Sequence, residues 1–131
     1  LKWSGMAGDS DYKIEGSIGF ESGRLITKQG AIIGGDISID LNSITCEYES
    51  LSEHLKSSDF FNVEEHPLAT YKINAVKNEN DSTFLFTGSL SFLGIALDYP
   101  LNATMNETSK YFEFTIEPAK INRVDYGMLY A

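Results

Sequence analysis

Apolar and polar residues alternate with a period of two along most of this chain, the pattern of strands with one buried face. Tyr12, Ile14, Gly16, Ile18 and Phe20 fall on one side, and Lys13, Glu15 and Ser17 on the other. Glu21-Ser22-Gly23 reads as a turn into a second strand over 24–28. Ile37, Ile39 and Leu41 oppose Asp36, Ser38 and Asp40, and later Tyr71, Ile73 and Ala75 oppose Thr70, Lys72 and Asn74, with a turn at 78–81. The cleanest run sets Phe84, Phe86, Gly88, Leu90 and Phe92 against Thr87, Ser89 and Ser91. Gly94 then closes a hairpin onto a strand with Leu97, Tyr99, Leu101, Ala103 and Met105 inward. Pro100, on the outward side, removes one ladder hydrogen bond, so this strand is expected to be an edge there or to carry a bulge. After a turn at 106–109, Phe112, Phe114 and Ile116 face in, and Glu113, Thr115 and Glu117 face water.

Six or seven such strands need a common interior, which a sandwich or a closed barrel supplies. Eight strands at about 12 residues each, turns included, would use about 96 residues and leave room for one inserted helix. Closure would also remove exposed edges. The expected fold is therefore all-β, a lipocalin-like antiparallel β-barrel with one short helix near 48–58. A chain of 131 residues makes one domain, 1–131.

The insert itself is visible as a change of period. Tyr48, Leu51 and Leu55 have helical spacing, and Ser50 with Glu53 forms a Ser-x-x-Glu capping box, so a short helix should end near Ser57. The sequence that follows, HLKSSDFFNVEEHPLA over 54–69, resembles the signature of the YceI-like polyisoprenoid-binding family, close to His-Leu-x-Ser-x-Asp-Phe-Phe-x-Val-x-x-x-Pro-x-Ala. Asp40-Leu41-Asn42-Ser43-Ile44 is similar to that family's Ile-Asp-x-x-Ser-Ile strand. Thr87-Gly88-Ser89-Leu90-Ser91-Phe92-Leu93-Gly94 resembles its Gly-x-Leu-x-x-x-Gly hairpin, and Arg123-Val124-Asp125-Tyr126-Gly127 its Arg-x-Asp-Tyr-Gly segment. The resemblance spans 16–127. It implies the same barrel, a long isoprenoid held inside it, and a periplasmic or secreted location. Family domains usually begin one strand earlier and run about two strands further, so part of the terminal strands is expected to be missing from this chain.

Composition narrows the partners. The net charge is −9 and the ten basic residues are scattered, which argues against a nucleic-acid surface and against adsorption to anionic lipid. No apolar run approaches a membrane span, so no stable membrane insertion is expected. Leu1-Lys2-Trp3-Ser4-Gly5 has no apolar leader core, so a leader of an exported form would lie outside this sequence. Cys46 is the single cysteine and reads as a small buried hydrophobe on a strand. Unpaired strands at truncated ends would favour pairing with a second copy, as a homodimer.

No catalytic or metal constellation stands out, and no cofactor is expected. His54 and His66 are twelve apart with no third ligand at metal spacing, and His54 reads as a cap or hydrogen-bond post. Glu64-Glu65 with Asp59 reads as a solvated face, and Tyr12, Tyr71 and Tyr99 are the inward polar candidates for chemistry. Small inward residues at Gly16, Ala75, Gly88 and Ala103 read either as room for a ligand or as taper in a packed core. The resemblance implies the first: a non-enzymatic binder, carrier or store of a long apolar lipid, such as a quinone, prenyl pyrophosphate or acyl chain. Its expected lining is Phe60, Tyr71, Ile73, Phe84, Phe86, Leu90, Phe92, Tyr99, Leu101, Phe112, Phe114 and Ile116. Phe60 and Phe61 would gate one mouth, or else anchor the helix. Arg123 would meet a head group, or else pair with an acid such as Asp59. The alternative function is a solid-barrel protein-interaction or stress-response module without a lipid.

Overall fold

A computed structural model describes residues 1–6, 13–107 and 112–129, with backbone alone at Met6 and Phe112. Seven strands are ordered β1-β2-β3-β4-β5-β6-β7, so each pairs antiparallel with its neighbour in sequence. They are β1 (Lys2–Met6), β2 (Lys13–Lys28), β3 (Ala31–Cys46), β4 (Leu68–Asn78), β5 (Thr83–Phe92), β6 (Ile95–Glu107) and β7 (Phe112–Ile116), with helix α1 (Glu49–Lys56) between β3 and β4. The sheet curls into a half-barrel. Among the described residues no ladder joins β1 to β7, so the expected all-β fold is present as an open form of the barrel.

Two hairpins fix the frame. Gln29 and Gly30, at φ 52° and 81°, turn β2 into β3, and Leu93 and Gly94, at 53° and 77°, turn β5 into β6. Two successive residues with positive φ make the type I′ turn whose twist suits adjoining strands. Gly94 therefore closes its hairpin as the sequence pattern implies. The expected turn at 21–23 does not form. β2 runs straight through it with register shifts between Ser17 and Gly19 and between Phe20 and Ser22. Phe20, expected inward, is 57% exposed, and Leu25, Ile26 and Ile33 on the same hairpin are also exposed.

The bend in β3 explains the Asp40-Leu41-Asn42-Ser43-Ile44 motif. Between the pairs Ser17↔Thr45 and Gly19↔Asp40 the β3 strand carries extra residues. Ser43 Oγ accepts from the Gly19 amide at 2.6 Å and donates to the Asp40 carbonyl at 2.6 Å, while Asp40 Oδ1 accepts from the Asn42 amide. Those polar bonds replace the interrupted ladder, and Leu41 and Ile44 are driven into the core.

A bulge in β4 has the opposite effect on a sequence expectation. The pairs Ile73↔Gly88 and Ala75↔Thr87 skip a residue, so Val76, not Ala75, comes opposite Phe86. Ala75 is exposed and Val76 packs against the core. Pro100 behaves as expected. β7 pairs with β6 only over Ala103–Glu107, so Pro100 lies where β6 has no strand on its outer flank.

Helix α1 starts without the Ser50–Glu53 box. Its N-cap is Tyr48, with no side-chain cap bond. Ser52, buried one turn in, ties the helix to the end of β3: its Oγ accepts from the Cys46 amide at 3.0 Å and donates to the Tyr48 carbonyl at 3.2 Å. Cys46 is half-buried, not the buried hydrophobe expected, with its thiol donating to Tyr48 O at 3.2 Å. The helix ends at Ser57 as anticipated.

Two of the small inward residues are small for a backbone reason. A Cβ on Gly88 would lie 2.1 Å from the Lys72 carbonyl oxygen, beside the β4 bulge, and one on Gly16 would lie 2.0 Å from the Thr45 carbonyl and 2.5 Å from the Trp3 indole. Neither glycine clears space for a ligand. Gly88→Ala is expected to lower the unfolding free energy by about 3 kcal/mol, because the obstacle is backbone that cannot rotate away; urea titration of both proteins checks this.

Candidate ligand-binding site

Cross-strand register gathers the expected lining. Directly paired residues share a face of the sheet, and the pairs Ile37↔Tyr71, Tyr71↔Leu90, Leu90↔Leu97, Phe86↔Leu101, Phe84↔Ala103, Ala103↔Ile116 and Met105↔Phe114 form one unbroken apolar surface. Tyr71, Ile73, Phe84, Phe86, Leu90 and Phe92 are buried members of the core, with Phe60, Tyr99, Leu101, Phe114 and Ile116 partly buried against it. The side chain of Phe112, and Tyr12 altogether, lie outside the described residues.

The aromatics pack on each other across the curl. Phe84 and Phe114 meet edge to face at 5.9 Å, Phe84 stacks on Phe86 at 6.2 Å, and Phe86 lies 6.4 Å from Phe114. At the other end Phe92 contacts Phe61 at 5.6 Å and Tyr126 at 5.0 Å. Phe61 is thus an anchor that pins the helical connector to β5, the second of the two roles open for it. Phe60 is held between an edge contact to His54 at 5.1 Å and the Arg123 guanidinium at 5.7 Å. That arrangement also favours anchoring over gating.

Arg123 does not pair with Asp59 among the described contacts. Asp59 Oδ2 is 2.8 Å from His54 Nε2, which makes His54 the hydrogen-bond post anticipated, and Arg123 donates instead to the Met128 carbonyl. The segment around Arg123 is a 3-10 turn, Arg123–Tyr126, capped by the Asn122 side chain and ended by Gly127 at φ 82°. It delivers Tyr126 and Met128, 2% and 3% exposed, into the core. Neither was foreseen as interior. The signal available was the Tyr-Gly pair itself, a left-handed glycine that stops the turn immediately after the buried ring.

Interior hydroxyls end on backbone carbonyls. Tyr71 donates to Tyr99 O at 2.5 Å, Tyr126 to Leu90 O at 2.9 Å, and Tyr99 to Lys120 O. Burial pushes the Tyr71 hydroxyl up from 10 to about 12, and burial, then Tyr99 and Asp125, raise that of Tyr126. The Tyr71 and Tyr126 hydroxyls thus stay protonated and occupied at neutral pH, which suits structure and not proton transfer. Among the described residues no group of three His, Cys, Asp or Glu side chains could hold a metal ion.

Two cavities adjoin the apolar face where the chain leaves β7. One of about 210 Å³ is lined by Tyr99, Pro100, Leu101, Asn102 and residues 117–120. The other, about 260 Å³, is lined by Glu79, Asn80, Thr83, Phe84, Asn102, Ala103, Thr104 and Glu117. They share Asn102 and Glu117, whose backbones bond at 2.9 Å from Glu117 N to Asn102 O.

An antiparallel meander curled around an aromatic face, with a helical connector covering one end, defines a protein of the lipocalin-like barrel class. The chain belongs to the YceI-like domain family, whose model matches residues 3–131. It is 34% identical over 59 residues to a UPF0312 protein of Azotobacter vinelandii, covering 45% of this chain and 31% of that one. It is 31% identical over 70 residues to the YceI protein of Salmonella arizonae, covering 53% and 36%. The match therefore spans about a third of the length of these curated relatives. Among solved structures, the Campylobacter jejuni YceI protein superposes with a TM-score of 0.73 at 21% identity, over 85% of this chain and 70% of that one. BcnA of Burkholderia cenocepacia gives 0.71 at 17% identity, over 86% and 70%. The same fold is thus kept with few shared residues.

Two substitutions test the roles assigned to the tyrosines. Tyr126→Phe should cost about 1–2 kcal/mol in a denaturant titration, because the buried Leu90 carbonyl loses its donor. For Tyr71 the raised value stabilises the fold fully below pH 10, and that contribution is lost as pH climbs through about 12. Base-induced unfolding followed by circular dichroism should therefore be shallower over that window in Tyr71→Phe than in the parent.

Proposed function

We propose that this protein binds a long apolar lipid, without catalysis, and serves as its carrier or store. The observation that carries this reading is the continuous apolar face from Ile37 across Tyr71, Leu90 and Leu97 and from Phe86 to Leu101, in a sheet that is curled but open. An isoprenoid or acyl tail needs area and no polar partners, which aromatic and branched side chains provide. Burying about 30 carbons at about 0.3 kcal/mol each would give about 9 kcal/mol, a sub-micromolar affinity. Membership of the YceI-like family supports the reading, as does the carbonyl-bound state of the interior tyrosines, which leaves them unsuited to acid-base work. An exported compartment, periplasmic or extracellular, belongs to the same proposal.

A second reading, a protein-interaction module, draws on Phe20, Leu25, Ile26 and Ile33, all exposed on the β2–β3 hairpin, and on the mutual packing of Phe84, Phe86 and Phe114. Sequence alternation alone did not promise such an exposed group. Beyond the stretch paired with β1, the outer edge of β2 is also without a strand among the described residues, and a second copy could add there.

Native mass spectrometry of the purified protein, followed by solvent extraction, separates the two. A stoichiometric prenyl or acyl lipid is the expected result. A protein that is empty and takes up no quinone or polyprenol on titration would overturn the lipid reading. Leu101→Glu, at a half-buried position of the face, should lower lipid uptake at least about tenfold, because a carboxylate would have to be desolvated beside the tail.

A further inference from the structure

The two flanks of the sheet are finished differently. The outer edge of β6 beyond β7 carries Pro100, which has no N–H to offer, and residues 117–120 lie beside it, with the Tyr99 hydroxyl donating to the Lys120 carbonyl. β1 covers β2 only over 13–17, with one further bond from the Ile18 amide to the Leu1 carbonyl. Over 19–28 the outer edge of β2 has no partner strand among the described residues, and it holds no proline. An open row of amides and carbonyls of that length is a template for another strand.

The sequence of that edge complements itself on reversal. Pairing with β3 assigns its faces: Phe20, Gly23 and Leu25 lie opposite Ile39, Ile37 and Gly35 on the apolar side, and Gly19, Ser22, Arg24 and Ile26 lie opposite Asp40, Ser38, Asp36 and Gly34 on the other. A two-fold axis perpendicular to the sheet reverses the strand and keeps each face, so it passes through one residue that meets its own copy. Placed at Gly23, it sets Ser22 against Arg24 on one side of the sheet. On the apolar side the bulge counts Phe20 and Glu21 together against Leu25, and Ile26 then lies over Gly19. Phe20, Leu25 and Ile26, all exposed in the single chain, are thereby covered. Glu21 of one copy comes beside Arg24 of the other, whose guanidinium already holds Asp36 at 2.9 Å and has further donors free in its fork. A foreign strand would have to supply both an acid for Arg24 and a base for Glu21 at this spacing, whereas a second copy carries both. We propose that two copies of this chain join edge to edge through β2, antiparallel about Gly23, so that one sheet and one apolar face run through both.

Site-directed disulfide formation tests this in the full chain, with Cys46→Ser as the background. A Cβ at residue 23 meets only ordinary contacts, 3.9 Å from Ile37 and 4.0 Å from the Asp36 carbonyl, so G23C keeps the fold. Across the axis its two Cα atoms would stand about 4.5–5.5 Å apart, within disulfide reach, whereas the two copies of residue 22 would stand about 8 Å apart, beyond it. Oxidation should therefore link G23C into covalent dimers at least about tenfold faster than S22C. Light scattering should give twice the chain mass for the parent and the single mass for L25K, which sets a charge into the apolar pairing with Phe20 at a site exposed in the single chain. If L25K does not fold, the contrast between G23C and S22C decides alone. A monomeric parent, whether its edge stays open or is covered by another part of its own chain, would overturn the proposal. So would S22C linking as fast as G23C, or a folded L25K that stays dimeric. Lipid uptake enters none of these readouts, so the carrier reading and this one fail separately.

Discussion

The single apolar face of this sheet depends on the pairing register of β4 with β5. Side chains on a strand alternate strictly, so a slip of one residue exchanges the inner set for the outer. The bulge between Ile73 and Ala75 makes that exchange once, deliberately. Before it Tyr71 lies opposite Leu90, and after it Val76 lies opposite Phe86. Without the bulge the alternation begun at Tyr71 and Ile73 would continue through Ala75 to Lys77, and a lysine would meet the phenylalanines. Gly88 belongs to the same device, since only a residue without Cβ tolerates the Lys72 carbonyl where the two backbones close up. The bulge and the glycine together keep one face apolar across a strand whose sequence changes phase.

The motifs that mark the family act mainly on architecture. Ser43 and Asp40 bend β3, Ser52 fastens the helix, and Asn62 at φ 47° turns the connector back toward Pro67. Phe61 and Tyr126 then converge on Phe92 from two distant parts of the chain, and Arg123 covers Phe60 while Phe60 abuts His54. Connector and C-terminal turn are thereby fastened to each other and to the same end of the sheet.

The strands, the single helix, the hairpin at Gly94 and the inward set of β5 and β6 were legible in the sequence, because period-two alternation and left-handed turn glycines are local consequences of backbone geometry. So was the free flank at Pro100. The errors share a cause: Phe20, Ala75 and the supposed turn at 21–23 all lie at or beside register shifts, and a shift is a property of two strands that neither strand's own pattern announces. The capping box failed similarly. Ser50 had the right spacing, but Ser52 was the serine facing the end of β3.

What the sequence determined by itself was the class: an all-β chain with one apolar face per strand, a brief helical interruption and no clustered chemistry. Only the tertiary structure decided that the sheet stays open among the described residues, that Tyr126 and Met128 enter the core, and that Gly16 and Gly88 serve close backbone approach. The division follows from range. Alternation and turn geometry are set by adjacent residues, whereas closure, plugging and the lining of a cavity depend on which distant segments meet, and that is settled by the packing of the whole sheet.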